Sequence, residues 1–205
     1  MKPILFNTEM VRAISEGRKT VTRRVLKLPS HIQPQDNGLF TLYADGTCYE
    51  NERLVNVLQY LKAPYKVNDI LYVRETWSEL SYGYEYKADG KMIDHLGNSI
   101  KYRPSIHMPK EAARIFLRVT DVRVERLQDM TLEDFFNEGI SIDEDEVLRE
   151  LNLLDEADSI AKVKFRQLWD STIKKDQAKY YSWSVDPYVW VIEFEDISNQ
   201  KDQLI

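Results

Sequence analysis

Residues 17–24, GRKTVTRR, concentrate the reactive side chains of this chain, with four cations and two hydroxyls in the seven residues that follow Gly17. Gly17 lets the backbone turn sharply, and Arg18, Lys19, Arg23 and Arg24 with Thr20 and Thr22 form a surface able to hold an anion. As a strand, the segment sends Thr20, Thr22 and Arg24 to one face and Val21, Arg23 and Val25 to the other, so the two arginines act on different sides. The same pattern also fits a solubilising edge strand in which Gly17 only caps the preceding helix. The remaining reactive residues narrow the chemistry. Cys48 is the single cysteine, with no basic neighbour to activate its thiol, which excludes an intramolecular disulfide and a cysteine-rich zinc site. His31, His95 and His107 show no ligand spacing, so neither a metal nor another cofactor is expected, and His107 serves either a base or its own loop backbone. No phosphate-binding glycine loop, kinase motif set or serine-hydrolase elbow occurs.

These residues need elements to hold them. Residues 8–16 predict a short helix, with Thr8 as cap and Gly17 as stop, leading directly into a strand over 20–28. KVNDILYVRETW predicts a polar turn at Asn68-Asp69 and a strand over 70–76. Residues 113–126 alternate as a strand with a break at Thr120-Asp121 that reads as a bulge. Thr131 and Asp134 form a capping-box pattern for a helix ended by Gly139. An interrupted helical pattern runs from about 146 to 173, and 188–196 read as a strand with Tyr188, Trp190, Ile192 and Phe194 on one face. The spacing lacks strand-helix-strand regularity and predicts an α+β fold, a curled sheet or small β-barrel with flanking helices. A single domain over 1–205 is expected, with insertions near 30–63, 78–104 and 140–160.

The chain has 205 residues, 43% hydrophobic and 30% charged, ordinary values for a folded soluble protein. No apolar run suits a membrane span or a signal peptide, so a cytoplasmic protein with no membrane association is expected. The net charge of −6 argues against nucleic acid until its distribution is considered. Residues 131–160 carry eleven acidic side chains against Arg149 alone, whereas residues 1–30 carry seven cations against Glu9 and Glu16. Such separation either focuses an anion on one surface or simply solvates two faces. The acidic segment 141–158 reads first as a solvated helix face, and alternatively as a surface for a protein partner.

In order along the chain, the helix ending in GRKT, the TVTR strand, NDILYVR, the strand leading to LQDMTLEDFFNEG and the closing VWVIEFE together resemble the ASCH domain. RPSIHMPKEAARIFLRVTDVRVERLQ resembles the larger ASCH proteins of bacterial genomes and prophages. The resemblance spans about two-thirds of the chain and implies a PUA-like barrel whose cleft binds RNA or a nucleobase-like ligand. Some relatives are amidohydrolases that deacetylate N4-acetylcytidine with a Lys, a Thr and a Glu. Their G-x-K-x-x-T pattern is matched by Gly17, Lys19 and Thr22, and their Glu by Glu138. Those enzymes are shorter, so the insertions reshape whatever pocket is present.

The implied chemistry needs a nucleophile, a proton shuttle and an oxyanion stabiliser. Thr22 would be the nucleophile or its hydrogen-bond guide, Lys19 the base, and Glu138 the group handling the leaving amine. Arg18, Arg23 and Arg24 crowd Lys19 and disfavour its ammonium form, whereas pairing with Glu138 opposes them. Read instead as structure, Glu138 is a helix-terminal surface acid and Lys19 a phosphate contact. Base recognition adds aromatic stacking, for which Trp77 is the first candidate, with Arg74 and Glu75 just before it. Three functions follow: nucleic-acid or modified-nucleobase binding in a basic cleft, hydrolysis of an N-acetylated pyrimidine nucleoside, and a phage-associated protein-interaction module.

Overall fold

The computed structural model describes residues 1–35, 37–44, 46–143 and 160–201. Most of the acidic run, and the first part of the helical pattern expected from 146, lie outside the described residues.

Five strands form the main sheet: β1 (Lys2–Leu5), β2 (Val21–Val25), β6 (Ile70–Arg74), β9 (Phe116–Arg126) and β10 (Tyr188–Asp196), in the order β1-β6-β9-β10-β2. Between β2 and β6 the chain builds a second sheet from β3 (Ile32–Pro34), β4 (Phe40–Ala44) and β5 (Thr47–Glu52). Between β6 and β9 it forms the hairpin β7 (Trp77–Leu80) and β8 (Gly83–Tyr86). The helices are α1 (Thr8–Ser15), α2 (Leu54–Leu58), α3 (Leu132–Asn137), α4 (Ile160–Thr172) and α5 (Ala178–Tyr181).

The four strands expected from alternation therefore share one sheet, joined by the unanticipated β1, which pairs parallel to β6 while all other pairs are antiparallel. The α+β expectation holds in this mixed sheet flanked by helices. The barrel alternative is corrected: among the described residues the hydrogen-bonded ladder stays open between β1 and β2. Side chains bridge that seam instead, since the Arg24 guanidinium donates to the Leu5 carbonyl at 3.0 Å and lies 5.3 Å from the centre of the Phe6 ring. The bulge is present. Glu193 faces Asp121 while Phe194 faces Val119, leaving Thr120 unmatched and adding local twist.

Both faces of the sheet are covered, which is why β10 carries fully buried residues on alternate sides. Ile192 and Phe194 pack with Ile4, Phe6, Leu71, Leu117 and the α1 residues Val11 and Ile14. Val189 and Val191 pack with Phe135 of α3 and with Phe165 and Trp169 of α4. Asn7, rather than Thr8, caps α1, its side-chain oxygen accepting from the Met10 amide at 2.9 Å. The capping box of α3 forms between Thr131 and Asp134 as the sequence predicts.

Candidate functional site

Two helix ends bring the site together. Gly17, at φ +73°, reverses the chain after α1, and the Lys19 amide then donates back to the Ala13 carbonyl at 3.0 Å. At the other end Glu138 caps α3 and Gly139 follows at φ +92°. The two ends touch through the main chain: Lys19 and Glu138 form an isolated β-bridge, and the Thr20 amide donates to the Asn137 carbonyl at 2.9 Å. Only glycine fits at 139, because a Cβ there would lie 2.8 Å from the Ala13 Cβ and 3.2 Å from the Lys19 Cβ.

This contact buries an ion pair. Lys19 is 3% exposed and Glu138 4%. The Lys19 ammonium donates to the Glu138 carboxylate at 2.6 Å, to the Glu138 carbonyl at 2.8 Å and to the Val21 carbonyl at 2.7 Å, so its three protons meet three acceptors. Burial pulls the Lys19 pKa below 10.5. Glu138 works against that shift, and the Arg24 and Arg23 charges reinforce it. Arg23, also buried, is surrounded by carboxylates, with Asp134 at 2.8 Å and Glu125 and Glu138 each at 3.4 Å. Its Nε is buried and finds no acceptor among the described residues.

Lys19, Thr22, Arg23, Arg24 and Glu138 all line one cavity of about 150 Å³ between the β1/β2 seam and α4. A cavity of that size accepts a benzene ring in an engineered protein, so one six-membered ring fits. The Thr22 hydroxyl makes no side-chain hydrogen bond among the described residues, although the residue is 2% exposed. Phe6 and Asn7 form part of the wall, and Phe165, Leu168 and Trp169 of α4 cover the opposite side. Sequence reading missed these wall residues. Asn7 was hidden by an adjacent threonine that also suits a cap, and the α4 stripe carries the signature of ordinary core.

The other expected site residues lie elsewhere. Arg18 is at the surface, donating to the Gly139 carbonyl at 2.9 Å and pairing with Glu16. Arg74 donates to the carbonyls of Met108 and Ile106. Glu75, 1% exposed, is held by a two-pronged pair to Arg114 at 2.8 and 3.0 Å. Burial raises the Glu75 pKa above 4.5, Arg114 opposes the rise and Asp89 adds to it. Trp77 is core, packed with Met108, Ala112, Ala113 and Phe116, and its indole nitrogen has no partner among the described residues. His107 sits in a short 3-10 turn with its amide on the Pro104 carbonyl, and Cys48 is free and exposed. Among the described residues no His, Cys, Asp and Glu group could hold a metal ion, and no helix is long and apolar enough to cross a membrane.

No family model matches the chain, and no curated protein matches it. Among solved structures, the crystal structure of protein EF3133 from Enterococcus faecalis V583, of family DUF984, is similar over 94% of this chain and 70% of its own. The two share 11% identity at a TM-score of 0.37.

Proposed function

We propose that this chain hydrolyses the amide of an N-acylated pyrimidine nucleoside, with N4-acetylcytidine as the reference substrate. The observation that carries the proposal is a desolvated Lys19–Glu138 pair beside an unengaged Thr22 hydroxyl on one ring-sized cavity. The resemblance to ASCH amidohydrolases, residue by residue at Lys19, Thr22 and Glu138, supports the same reading. Lys19 and Arg23 are already paired with Glu138, Asp134 and Glu125, which leaves Arg24 as the one cation of the wall without a carboxylate partner among the described residues.

In the proposed sequence, neutral Lys19 takes the Thr22 proton as Thr22 Oγ1 bonds to the acyl carbon, and the carbonyl π pair moves to oxygen. Arg23 Nε, a buried donor lacking an acceptor on a residue of the cavity wall, suits that developing oxyanion. Collapse breaks the carbon–nitrogen bond, and the leaving exocyclic amine takes its proton from the Lys19–Glu138 pair. Water then attacks the acetyl carbon and gives a proton to the same pair; the carbon–Oγ1 bond breaks, Thr22 Oγ1 takes that proton back, and acetic acid leaves and ionises to acetate in solvent. Glu138 acts by holding Lys19 Nζ and sharing its proton.

Chromatography of N4-acetylcytidine with purified protein tests this. Cytidine and acetate should form in equal amounts, and Thr22→Val and Glu138→Gln should each lose about 100-fold or more in rate while keeping the wild-type circular dichroism. Acid-quenched Thr22→Ser should carry one acetyl group by mass spectrometry. Turnover that survives both Thr22→Val and Glu138→Gln, or no turnover by the wild type, sinks the proposal. In the second case, nucleobase binding without chemistry becomes the better account of the cavity.

A further inference from the structure

Beyond the cavity, the insertion between β2 and β6 creates a second surface. Two adjoining hollows of about 420 and 630 Å³ share Tyr60, Leu61 and Lys62, the residues that follow α2. One is walled by Lys27, His31 and Trp190, the other by Lys2 and Lys66. Among the described residues no aspartate or glutamate lines either hollow, in a chain whose net charge is −6. Lys2 is paired with Asp69 at 2.6 Å, but Lys27, Lys62 and Lys66 are exposed and make no ion pair among the described residues.

The groove and the cavity meet at one strand pair. Trp190 of β10 stands opposite Arg24 of β2 in the ladder, so the two side chains share a face, and Arg24 lines the cavity while Trp190 lines the groove. Aromatic surface accompanies the charge, with Tyr60 left 42% exposed. Unpaired cations interleaved with an exposed ring along a channel are what a single strand needs: phosphates find counter-charges and bases find a stacking face. A rigid duplex offers its phosphates but hides the faces of its bases.

We infer that this groove binds the phosphodiester backbone of a single-stranded nucleic acid whose target base occupies the cavity, so that the substrate is a base within a strand. This rests on reading the cavity as a base pocket. The charge is divided accordingly: Lys19 and Arg23 on the cavity wall are already paired with carboxylates, while Lys27, Lys62 and Lys66 of the segment between β2 and β6 supply cations for the flanking phosphates.

The test uses a fluorescein-labelled single-stranded oligonucleotide of about twelve residues and fluorescence anisotropy across a salt series. Binding should weaken with salt. The triple variant Lys27→Gln/Lys62→Gln/Lys66→Gln should bind roughly tenfold or more weakly, with a log–log salt slope shallower by about 2, since each single-strand phosphate contact contributes about 0.7. All three lysines lie at the surface and outside the cavity wall, so hydrolysis of free N4-acetylcytidine should match wild type. Equal binding by wild type and triple variant overturns the inference. So does equal affinity for an abasic oligomer of the same length, or preference for a duplex. If no protein turns over the free nucleoside yet strand binding depends on the lysines, the hydrolase reading fails and the groove stands. Turnover without strand binding removes the groove alone.

Discussion

Lys19 has three protons and three fixed oxygen acceptors, so it rests as an ammonium that burial has made easier to deprotonate. Its folded pKa lies below the unfolded 10.5, so the folded state gives up this proton first. The cost of burying the charge is full below the folded value and is relieved as pH rises toward 10.5. Deacetylation should therefore climb with pH along an alkaline limb whose midpoint lies below 10.5, measured as kcat/KM against pH. A rate that is flat across that range removes Lys19 as the base. Gly139 offers a separate check. Gly17 and Gly139 both have positive φ, but a Cβ at Gly17 would meet open space, whereas one at Gly139 would meet side chains within 4 Å. Gly17→Ala should cost about 1 kcal/mol, and Gly139→Ala about 2–3 kcal/mol because it also pushes on Ala13 and Lys19. Chemical denaturation measures both. The resemblance to ASCH amidohydrolases singled out Lys19, Thr22 and Glu138, and the structure brings all three to one cavity wall. The carboxylates around Arg23 were not legible in the sequence, since Glu125 and Asp134 lie about a hundred residues away in the chain.

At the scale of elements, α4 decides what the cavity admits. Leu168 is half-buried on the cavity wall. Leu168→Trp should fill the space and raise KM for the nucleoside about tenfold or more, with thermal stability nearly unchanged. An unaltered KM would place the substrate elsewhere. The apolar spacing of α4 was readable, but periodicity reports that a face is covered and says nothing about a gap left beneath it. Trp77 shows the converse. An aromatic at a strand end beside Arg74 and Glu75 looks like a stacking platform, yet Met108, Ala112 and Phe116 arrive from later in the chain and enclose it. β1 escaped notice because its burial pattern offers a single buried residue, Ile4, in four.

Across the whole molecule, the small sheet β3-β4-β5 has its own core of Ile32, Phe40, Leu42 and Val57. It meets the main sheet through Tyr188, whose ring lies 5.5 Å from Phe40 and 3.9 Å from the Arg126 guanidinium. Tyr188→Ala should lower the opening free energy of residues 32–58 by about 1–2 kcal/mol, seen as faster amide hydrogen exchange there and unchanged exchange in β9. Equal loosening of both regions would mean that the two cores unfold together. The mixed composition from Pro29 to Pro64 sets this segment apart in sequence, whereas its attachment through Tyr188 depends on a long-range contact. The main-chain stitch joining residues 19–20 to 137–138 has a broader consequence. It anchors the Lys19–Glu138 pair independently of the long excursions after β2 and β6. Those excursions have room to change in length without moving the pair, whereas the count of residues from Gly17 to Thr22 has no such latitude.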